Sequence, residues 1–170
     1  DPAGNPGPAG GHDFLVAQAR TMFDQMHPSM GAFFRLMKQG GFLDLKNRAG
    51  KAGGGFCTSF PTEGMPFIFA NFNGTHHDIG VFTHEMGHAF QNWESRGKTN
   101  VDYLWPTMES AEIHSMGLEF LSWPFMHLMV GEQEADRYRR MHLIGALAFL
   151  VLSLLLVTAC AQEPVPQDTF

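Results

Sequence analysis

The sequence contains two histidines and a glutamate at a spacing that suits metal-dependent hydrolysis. His84, Glu85 and His88 form an H-E-x-x-H pattern. Because an α-helix completes one turn in about 3.6 residues, His84 and His88 would lie one turn apart on one face, where two imidazoles can bind a single metal ion. Glu85 would lie beside them, placed to take a proton from a water molecule. The pattern predicts a zinc site; the alternative is a helix with two surface histidines and no metal.

The residues around this pattern carry the signals of an α-helix. Thr75 and Asp78 have the spacing of a capping box, which is typical of a helix start. Apolar residues then recur every three or four positions from Ile79 to Trp93. Gly97 follows as a stop signal. We therefore predict a helix from about residue 75 to residue 96.

A catalytic zinc ion usually has three protein ligands, so one more ligand is expected. A metzincin would need glycine at position 91 and histidine at position 94, but the sequence has Gln91 and Glu94, which excludes that class. A further helix is predicted from about Met108 to Ser122. The remaining candidates lie in it, and they are Glu109, Glu112, His114 and Glu119. A carboxylate from this helix would complete a set of two histidines and one glutamate.

Four segments of the chain resemble the oligoendopeptidase F and thimet-type oligopeptidase family of zinc metallopeptidases. They are GFCT at 55–58, PFI to NFNGT at 66–75, HEMGHA at 84–89 and AEIHSMGLE at 111–119. The resemblance covers roughly residues 14–150. It implies a zinc-dependent endopeptidase that hydrolyses peptide bonds in short peptides and binds one zinc ion.

Matched position by position, the resemblance assigns roles to individual residues. His84, His88 and Glu112 would be the zinc ligands. Glu85 would be the catalytic base, taking a proton from water and passing it to the leaving amine. Glu119 would accept a hydrogen bond from a ligating histidine, since such a histidine generally donates its second N–H to an acceptor.

The rest of the sequence predicts a mainly α-helical fold, in which a helical catalytic core carries the H-E-x-x-H helix and a small β-hairpin. Helical spacing of apolar residues predicts two helices between Asp13 and Gly40. Residues 40–55 are rich in glycine and predict a flexible connection. The phenylalanine-rich runs at 56–60 and 66–72 predict the hairpin. If the second run were an edge strand, its backbone could bind an extended peptide.

We divide the chain into a flexible lead-in of residues 1–12, a partial catalytic domain of residues 13–150 and an atypical apolar tail of residues 151–170. Members of the resembled family are much longer, and their downstream part supplies tyrosine and histidine groups suited to stabilising an oxyanion. Residues 141–159 contain His142 as the only strongly polar side chain. We expect a buried helix there; a membrane-crossing helix and a junction between unrelated sequences are the alternatives.

Composition narrows the classes of function and partner. The 170 residues have a net charge of −6, which argues against nucleic acid because phosphate binding needs clustered lysine and arginine. The two cysteines imply no disulfide framework, so we expect a cytoplasmic protein, with membrane association through residues 141–159 as the alternative. Peptides are the expected partners, and exposed apolar surface could drive oligomer formation. The competing hypothesis is a truncated, non-catalytic module that binds zinc or a protein partner.

Overall fold

A computed structural model describes residues 4–60 and 62–160 of the chain. The elements, in chain order, are α1 (His12–Met26), α2 (Pro28–Gln39), β1 (Leu43–Lys46), β2 (Phe56–Phe60), β3 (Met65–Phe72), α3 (His76–Ser95), α4 (Met108–Leu121), α5 (Met126–Val130) and α6 (Glu132–Cys160). Short 3₁₀ turns lie at Val101–Tyr103 and Trp123–Phe125. The fold is mainly α-helical, as predicted.

Phenylalanine rings join the first two helices to the helix that carries the histidines. The ring of Phe23 in α1 lies 5.3 Å from that of Phe34 in α2, measured between centroids. Both rings contact Phe82 of α3, at 6.4 and 6.0 Å. All three side chains are buried. Large aromatic side chains contribute much of the apolar area that a core removes from water, so this cluster fixes α3 against α1 and α2.

The predicted hairpin is present, but it is part of a larger sheet than we expected. The strand order is β1-β3-β2, with β3 antiparallel to β2 and parallel to β1. β3 is therefore the central strand, so the expectation that it could lie at an edge is wrong. β2 is the edge strand on the side of α3. A backbone edge open to an extended peptide would be that of β2.

The glycine-rich segment at 40–55 contains β1 and is not merely a flexible connection. The side chain of Lys51 is 1% exposed. Its ammonium group donates hydrogen bonds to the carbonyl oxygens of Asp44, Lys46 and Ala70, at 2.9, 3.1 and 2.5 Å. It also lies 4.5 Å above the ring of Phe69. An ammonium group with three donors satisfied by carbonyls can be buried, and here it ties the segment to β3.

At the start of α3, neither hydrogen bond of the predicted capping box forms. Asp78 is 3% exposed, and its carboxylate accepts hydrogen bonds from the backbone N–H groups of Asn73 and Gly74, at 3.0 and 2.7 Å. Thr75 is the N-cap residue but makes no side-chain capping bond. Its hydroxyl instead donates to Oδ1 of Asn73, at 2.8 Å. Asp78 therefore holds the turn that leads from β3 into α3.

α3 and α4 approach each other at Gly87, inside the H-E-x-x-H pattern. A Cβ atom at this position would lie 2.6 Å from the carbonyl oxygen of His114 and 2.6 Å from Cα of Ser115, both in the backbone of α4. Cβ atoms essentially never make non-bonded contacts this short, and the opposing atoms are backbone, so only glycine fits. The close approach brings the side chains of α4 within reach of the histidines of α3.

The buried helix predicted at 141–159 is wrong for the side chains that the structure describes. α6 continues to Cys160, and beyond His142 it exposes apolar side chains. These are Leu143, Ile144, Leu147 and Val151, with exposed fractions of 40, 68, 51 and 57%. Within 4–60 and 62–160, no helix is apolar enough over a sufficient length to span a membrane. Residues 161–170 of the predicted tail lie outside the described residues.

We expect the Gly87→Ala variant to be less stable than the unaltered chain by about 1–3 kcal/mol, since the added methyl group forces two helix backbones apart. Urea unfolding followed by circular dichroism measures this difference. The matched control is Gly117→Ala in α4, where an added Cβ meets nothing within 4 Å. That variant should gain about 0.5–1 kcal/mol, because alanine favours helix over glycine. Equal midpoints for Gly87→Ala and the unaltered chain would contradict the close packing described here.

Candidate metal centre

Three of the candidate ligands predicted from the sequence meet between α3 and α4. One nitrogen each from His84 and His88 and one carboxylate oxygen of Glu112 lie within 4.8 Å of one another. His84 Nε2 is 3.2 Å from Glu112 Oε2, and His88 Nε2 is 3.8 Å from Glu112 Oε1. The two imidazole rings are 4.9 Å apart at an angle of 82°. Both histidines therefore present a ring nitrogen to one carboxylate, with space for one ion.

The helical spacing explains why these three atoms converge. His84 and His88 are one turn apart on α3, so their side chains project from the same face. Glu112 lies on α4, three residues before the contact between Ser115 and Gly87. Glu109, one turn earlier, is exposed and does not belong to the group of three that the described residues form. His114 is also exposed and lies outside that group.

The donor atoms fit a zinc ion. Two imidazole nitrogens and one carboxylate oxygen are the ligand set of many catalytic zinc sites, which keep a further position open. The side chains of His88 and His84 are 11 and 27% exposed, whereas that of Glu112 is 39% exposed. The group of three candidate ligands is thus shielded from solvent on the side of α3 and accessible from a cavity of about 650 Å³. α6 contributes the opposite wall of this cavity through Tyr138 and His142.

Glu85 lies in the wall of the same cavity and is 8% exposed. Burial raises the pKa of its carboxyl group, and the negative charge of Glu112 raises it further, against opposing contributions from His84 and from a hydrogen bond donated by the backbone of Cys57. A higher pKa makes a carboxylate a stronger base. Glu85 therefore has the environment of a proton acceptor beside the candidate ligands.

Cys57 is a neighbour of Glu85 but does not suit nucleophilic chemistry. Burial and the charge of Glu85 raise the pKa of its thiol to about 12. The thiolate is the reactive form of cysteine, and at neutral pH this thiol stays protonated. Cys57 therefore contributes to the site through its backbone rather than through its sulfur.

Glu119 connects one of the candidate ligands to the interior of the protein. Its Oε1 lies 2.7 Å from His84 Nδ1, and its Oε2 lies 2.5 Å from His142 Nε2. Burial would raise the pKa of Glu119, but the hydrogen bonds from His142 and His84 outweigh it and hold the pKa below its usual value. Glu119 is therefore ionised, and it accepts from both rings.

The two candidate histidine ligands lie in different electrostatic environments. Burial lowers the pKa of His84, but the hydrogen bond and the negative charge of Glu119 reverse this, so the net pKa is raised. For His88, burial and the nearby His84 lower the pKa. The difference follows from Glu119, which contacts only the first of the two rings.

Sequence reasoning missed the part of the site that α6 supplies. The sequence marks His142 only as the polar residue of an apolar segment and gives Tyr138 no role in the site. The available signal was that a single histidine in an apolar helix needs a hydrogen-bonding partner when it is buried. His76 and His77, at the start of α3, also line the cavity, and His77 is exposed.

Comparison with known proteins places this arrangement among peptidases. Residues 31–138 match the sequence pattern of peptidase family M3. A structure described as an oligoendopeptidase F is 50% identical, with a TM-score of 0.85 over 88% of this chain and 26% of that one. PZ peptidase A with an inhibitor is 46% identical, with a TM-score of 0.84 and coverage of 88% and 26%. A protein from Bacillus anthracis, described as an oligoendopeptidase F, is 49% identical, with a TM-score of 0.85 and coverage of 88% and 27%.

The chain thus spans about a quarter of the length of these three relatives, whose covered shares are 26, 26 and 27%. A comparison with curated proteins found no match.

We expect Glu119→Ala to lower the affinity for Zn²⁺ by about 10–100-fold, the usual effect of removing the hydrogen-bonding partner of a ligating histidine. Competition with a chromophoric chelator measures the affinity. Glu94→Ala is the control, since Glu94 is an exposed carboxylate on α3 outside the group of three. An unchanged affinity in Glu119→Ala would show that Glu119 does not support His84.

Proposed function

The chain belongs to peptidase family M3, and we propose on this premise that it forms the metal-binding core of a zinc-dependent endopeptidase that acts on short peptides. The observation that carries the proposal is the convergence of His84, His88 and Glu112, whose ligand atoms lie within 4.8 Å of one another. The family implies a metal; zinc, and a single ion, are the inference from this donor set. Peptide substrates and a cytoplasmic location are parts of the same proposal.

His84, His88 and Glu112 would hold the ion, and their types set its chemistry. A bound zinc ion supplies a Lewis acid that polarises a carbonyl group and lowers the pKa of water. Glu112 gives the centre one negative charge, and the two imidazoles give none when they are neutral. The net positive charge left on the ion is what makes it an effective Lewis acid.

Glu85 would carry the proton during hydrolysis. Its carboxylate accepts a proton from the attacking water and then donates it to the nitrogen of the leaving amine, so that one group serves as base and as acid. The raised pKa of this buried carboxyl group favours the first step, since a stronger base takes up the proton of water more readily. The hydrogen bond from the backbone of Cys57 fixes the carboxylate beside the cavity.

The edge strand β2 is the candidate support for the peptide substrate. It borders Glu85 through Cys57, and it is the outer strand of the sheet on that side. An extended peptide could pair with its free backbone groups, which would hold substrates with little dependence on their sequence. This arrangement would place a peptide bond near both the candidate ligands and the base.

A second candidate function is a zinc-binding module without catalytic activity. The observation that favours it is the coverage, because the chain spans only 26% of the length of the first relative described above. Oxyanion-stabilising groups contributed by the remainder of such relatives would be worth about 10²–10³ in rate for each donor. Metal binding and peptide cleavage therefore have to be tested separately.

Elemental analysis of the purified chain should find about one zinc ion per molecule. In Glu112→Ala the zinc should be lost or bound much more weakly, because a carboxylate ligand is removed from a set of three. Glu109→Ala is the control on the same helix and should keep its zinc, since Glu109 is exposed and outside the group of three. Zinc near zero in the unaltered chain would refute the proposed metal site.

The variant Glu85→Gln should keep its zinc but lose peptide hydrolysis by about 10²–10⁴-fold, because the amide cannot take up the proton. Fluorogenic peptides of several lengths, assayed beside zinc analysis, measure both properties on one sample. Persistent cleavage in Glu85→Gln would exclude Glu85 as the base. Absence of cleavage in the zinc-loaded unaltered chain would instead favour the non-catalytic module.

A further inference from the structure

Four side chains from four elements form one continuous line of hydrogen bonds that ends at a candidate zinc ligand. Trp123 lies in the 3₁₀ turn after α4, and its Nε1 is 3.2 Å from His142 Nδ1 in α6. His142 Nε2 is 2.5 Å from Glu119 Oε2, and Glu119 Oε1 is 2.7 Å from His84 Nδ1. The line crosses from α6 through α4 to α3. We call it the Trp123–His84 chain.

The indole at the far end sets the direction of every bond in this chain. Trp123 Nε1–H can only donate, so Nδ1 of His142 must accept and carries no hydrogen. The hydrogen of the neutral His142 ring is then on Nε2, which donates to Glu119. The Glu119 carboxylate only accepts, so Nδ1 of His84 must donate. His84 is left with a lone pair on Nε2, the nitrogen that lies 3.2 Å from Glu112.

The ring of His142 is held in place by aromatic packing. The side chain is 12% exposed. The ring of Tyr138 stacks on it at 6.1 Å and 14°, and the ring of Phe120 meets it edge-on at 5.2 Å and 76°. Trp123 meets it at 5.7 Å and 84°. A ring fixed on three sides cannot rotate to exchange its two nitrogens without disrupting these contacts.

A mostly buried carboxylate also needs a partner for each of its oxygens. The side chain of Glu119 is 16% exposed, and only Oε1 is used by His84. Without His142, the second oxygen would lose its charge-assisted hydrogen bond, and the carboxylate could turn about its last torsion. The orientation of Glu119 towards His84 therefore depends on a residue 23 positions further along the chain.

We propose that His142, with its tautomer set by the indole N–H of Trp123, is a positioning residue that orients Glu119 and thereby presents Nε2 of His84 to the zinc ion. The inference rests on the proposed function, because it concerns how a ligand is held for that ion. It adds the segment from residue 123 to residue 142, which lies outside the H-E-x-x-H helix and outside the helix of the third candidate ligand.

Zinc affinity in two variants of His142 tests whether donation to Glu119 matters. The amide of Gln in His142→Gln reaches about as far as Nε2 of histidine and can still donate, so its affinity should stay within about threefold of the unaltered chain. The amide of Asn in His142→Asn is too short to reach Glu119, so its affinity should fall by about tenfold, the lower end of the effect of losing an outer hydrogen-bonding partner. His127→Asn is the control, since His127 lies in α5 and takes no part in the Trp123–His84 chain.

Nitrogen-15 NMR of the histidine rings tests, without any metal, which atoms donate and which accept in the Trp123–His84 chain. In the zinc-free protein at alkaline pH, His142 should show the Nε2–H tautomer and His84 the Nδ1–H tautomer. Trp123→Phe keeps an aromatic ring but removes the indole N–H, so the His142 spectrum should change to a mixture of tautomers. A purely structural role of these side chains would leave the tautomers unchanged while altering the unfolding temperature.

Each outcome bears on one proposal only. Equal zinc affinity of His142→Asn and the unaltered chain, or an Nδ1–H tautomer of His142, would overturn the positioning role. If the unaltered chain bound no zinc, the proposed function would fail, and the tautomers in the zinc-free protein would still decide whether the Trp123–His84 chain has the stated direction. If His142→Asn failed to fold, Trp123→Phe and the tautomer spectra of the unaltered chain would decide it.

Discussion

At Gly87 the backbones of α3 and α4 approach so closely that no side chain fits between them, and the candidate site is built around that contact. A Cβ atom there would lie 2.6 Å from backbone atoms of α4. This contact sets the distance between α3 and α4 at the level of the histidines, so that glutamate side chains of α4 can reach the imidazole rings. The spacing of His84 and His88 along α3 contributes two of the three donor atoms, and the helix crossing determines which residue contributes the third.

Each of the two ring nitrogens of His84 lies near a different carboxylate of α4. Glu112 faces Nε2 of His84 at 3.2 Å, and Glu119 faces Nδ1 at 2.7 Å. They are seven residues apart, close to two helical turns, so they project from the same face of α4. Both line the cavity, and Glu119 is the less exposed of the two and is bonded to His142. The same helix thus carries a candidate ligand and the group that orients a ligand.

The features predicted correctly from the sequence are those encoded by local spacing. The helices α3 and α4 follow from apolar periodicity, and the hairpin of β2 and β3 follows from phenylalanine-rich runs around a turn. The meeting of Glu112 with the histidines was expected from the family resemblance rather than from the residues alone, which left Glu109 open. The predicted capping box is wrong: Asp78 accepts from the backbone N–H groups of Asn73 and Gly74 rather than from that of Thr75, whose hydroxyl donates to Asn73.

What the sequence did not predict depends on contacts between distant residues. β1 pairs with β3, and Lys51 bonds to Ala70, 19 residues away; glycine content gives no sign of either contact. The role of His142 depends on Glu119, 23 residues away, and on the ring of Trp123. The apolar face of α6 looked like core because hydropathy records only residue type, while exposure depends on which elements pack against a helix.

The uneven burial of α6 divides this helix into two parts with different local stability. Up to His142 it is anchored by buried Ala135 and Tyr138 and by the bonds of the imidazole ring. Beyond that residue, Leu143, Ile144, Leu147 and Val151 are exposed to solvent, so the burial of these side chains does little to oppose fraying. Backbone amides in the second part should therefore exchange their hydrogens with solvent by local opening, while those of the first part exchange only when the domain unfolds. The hydrogen bonds of His142 tie α6 to Glu119 and Trp123, so fraying from the far end has to reach this residue before it disturbs the metal centre.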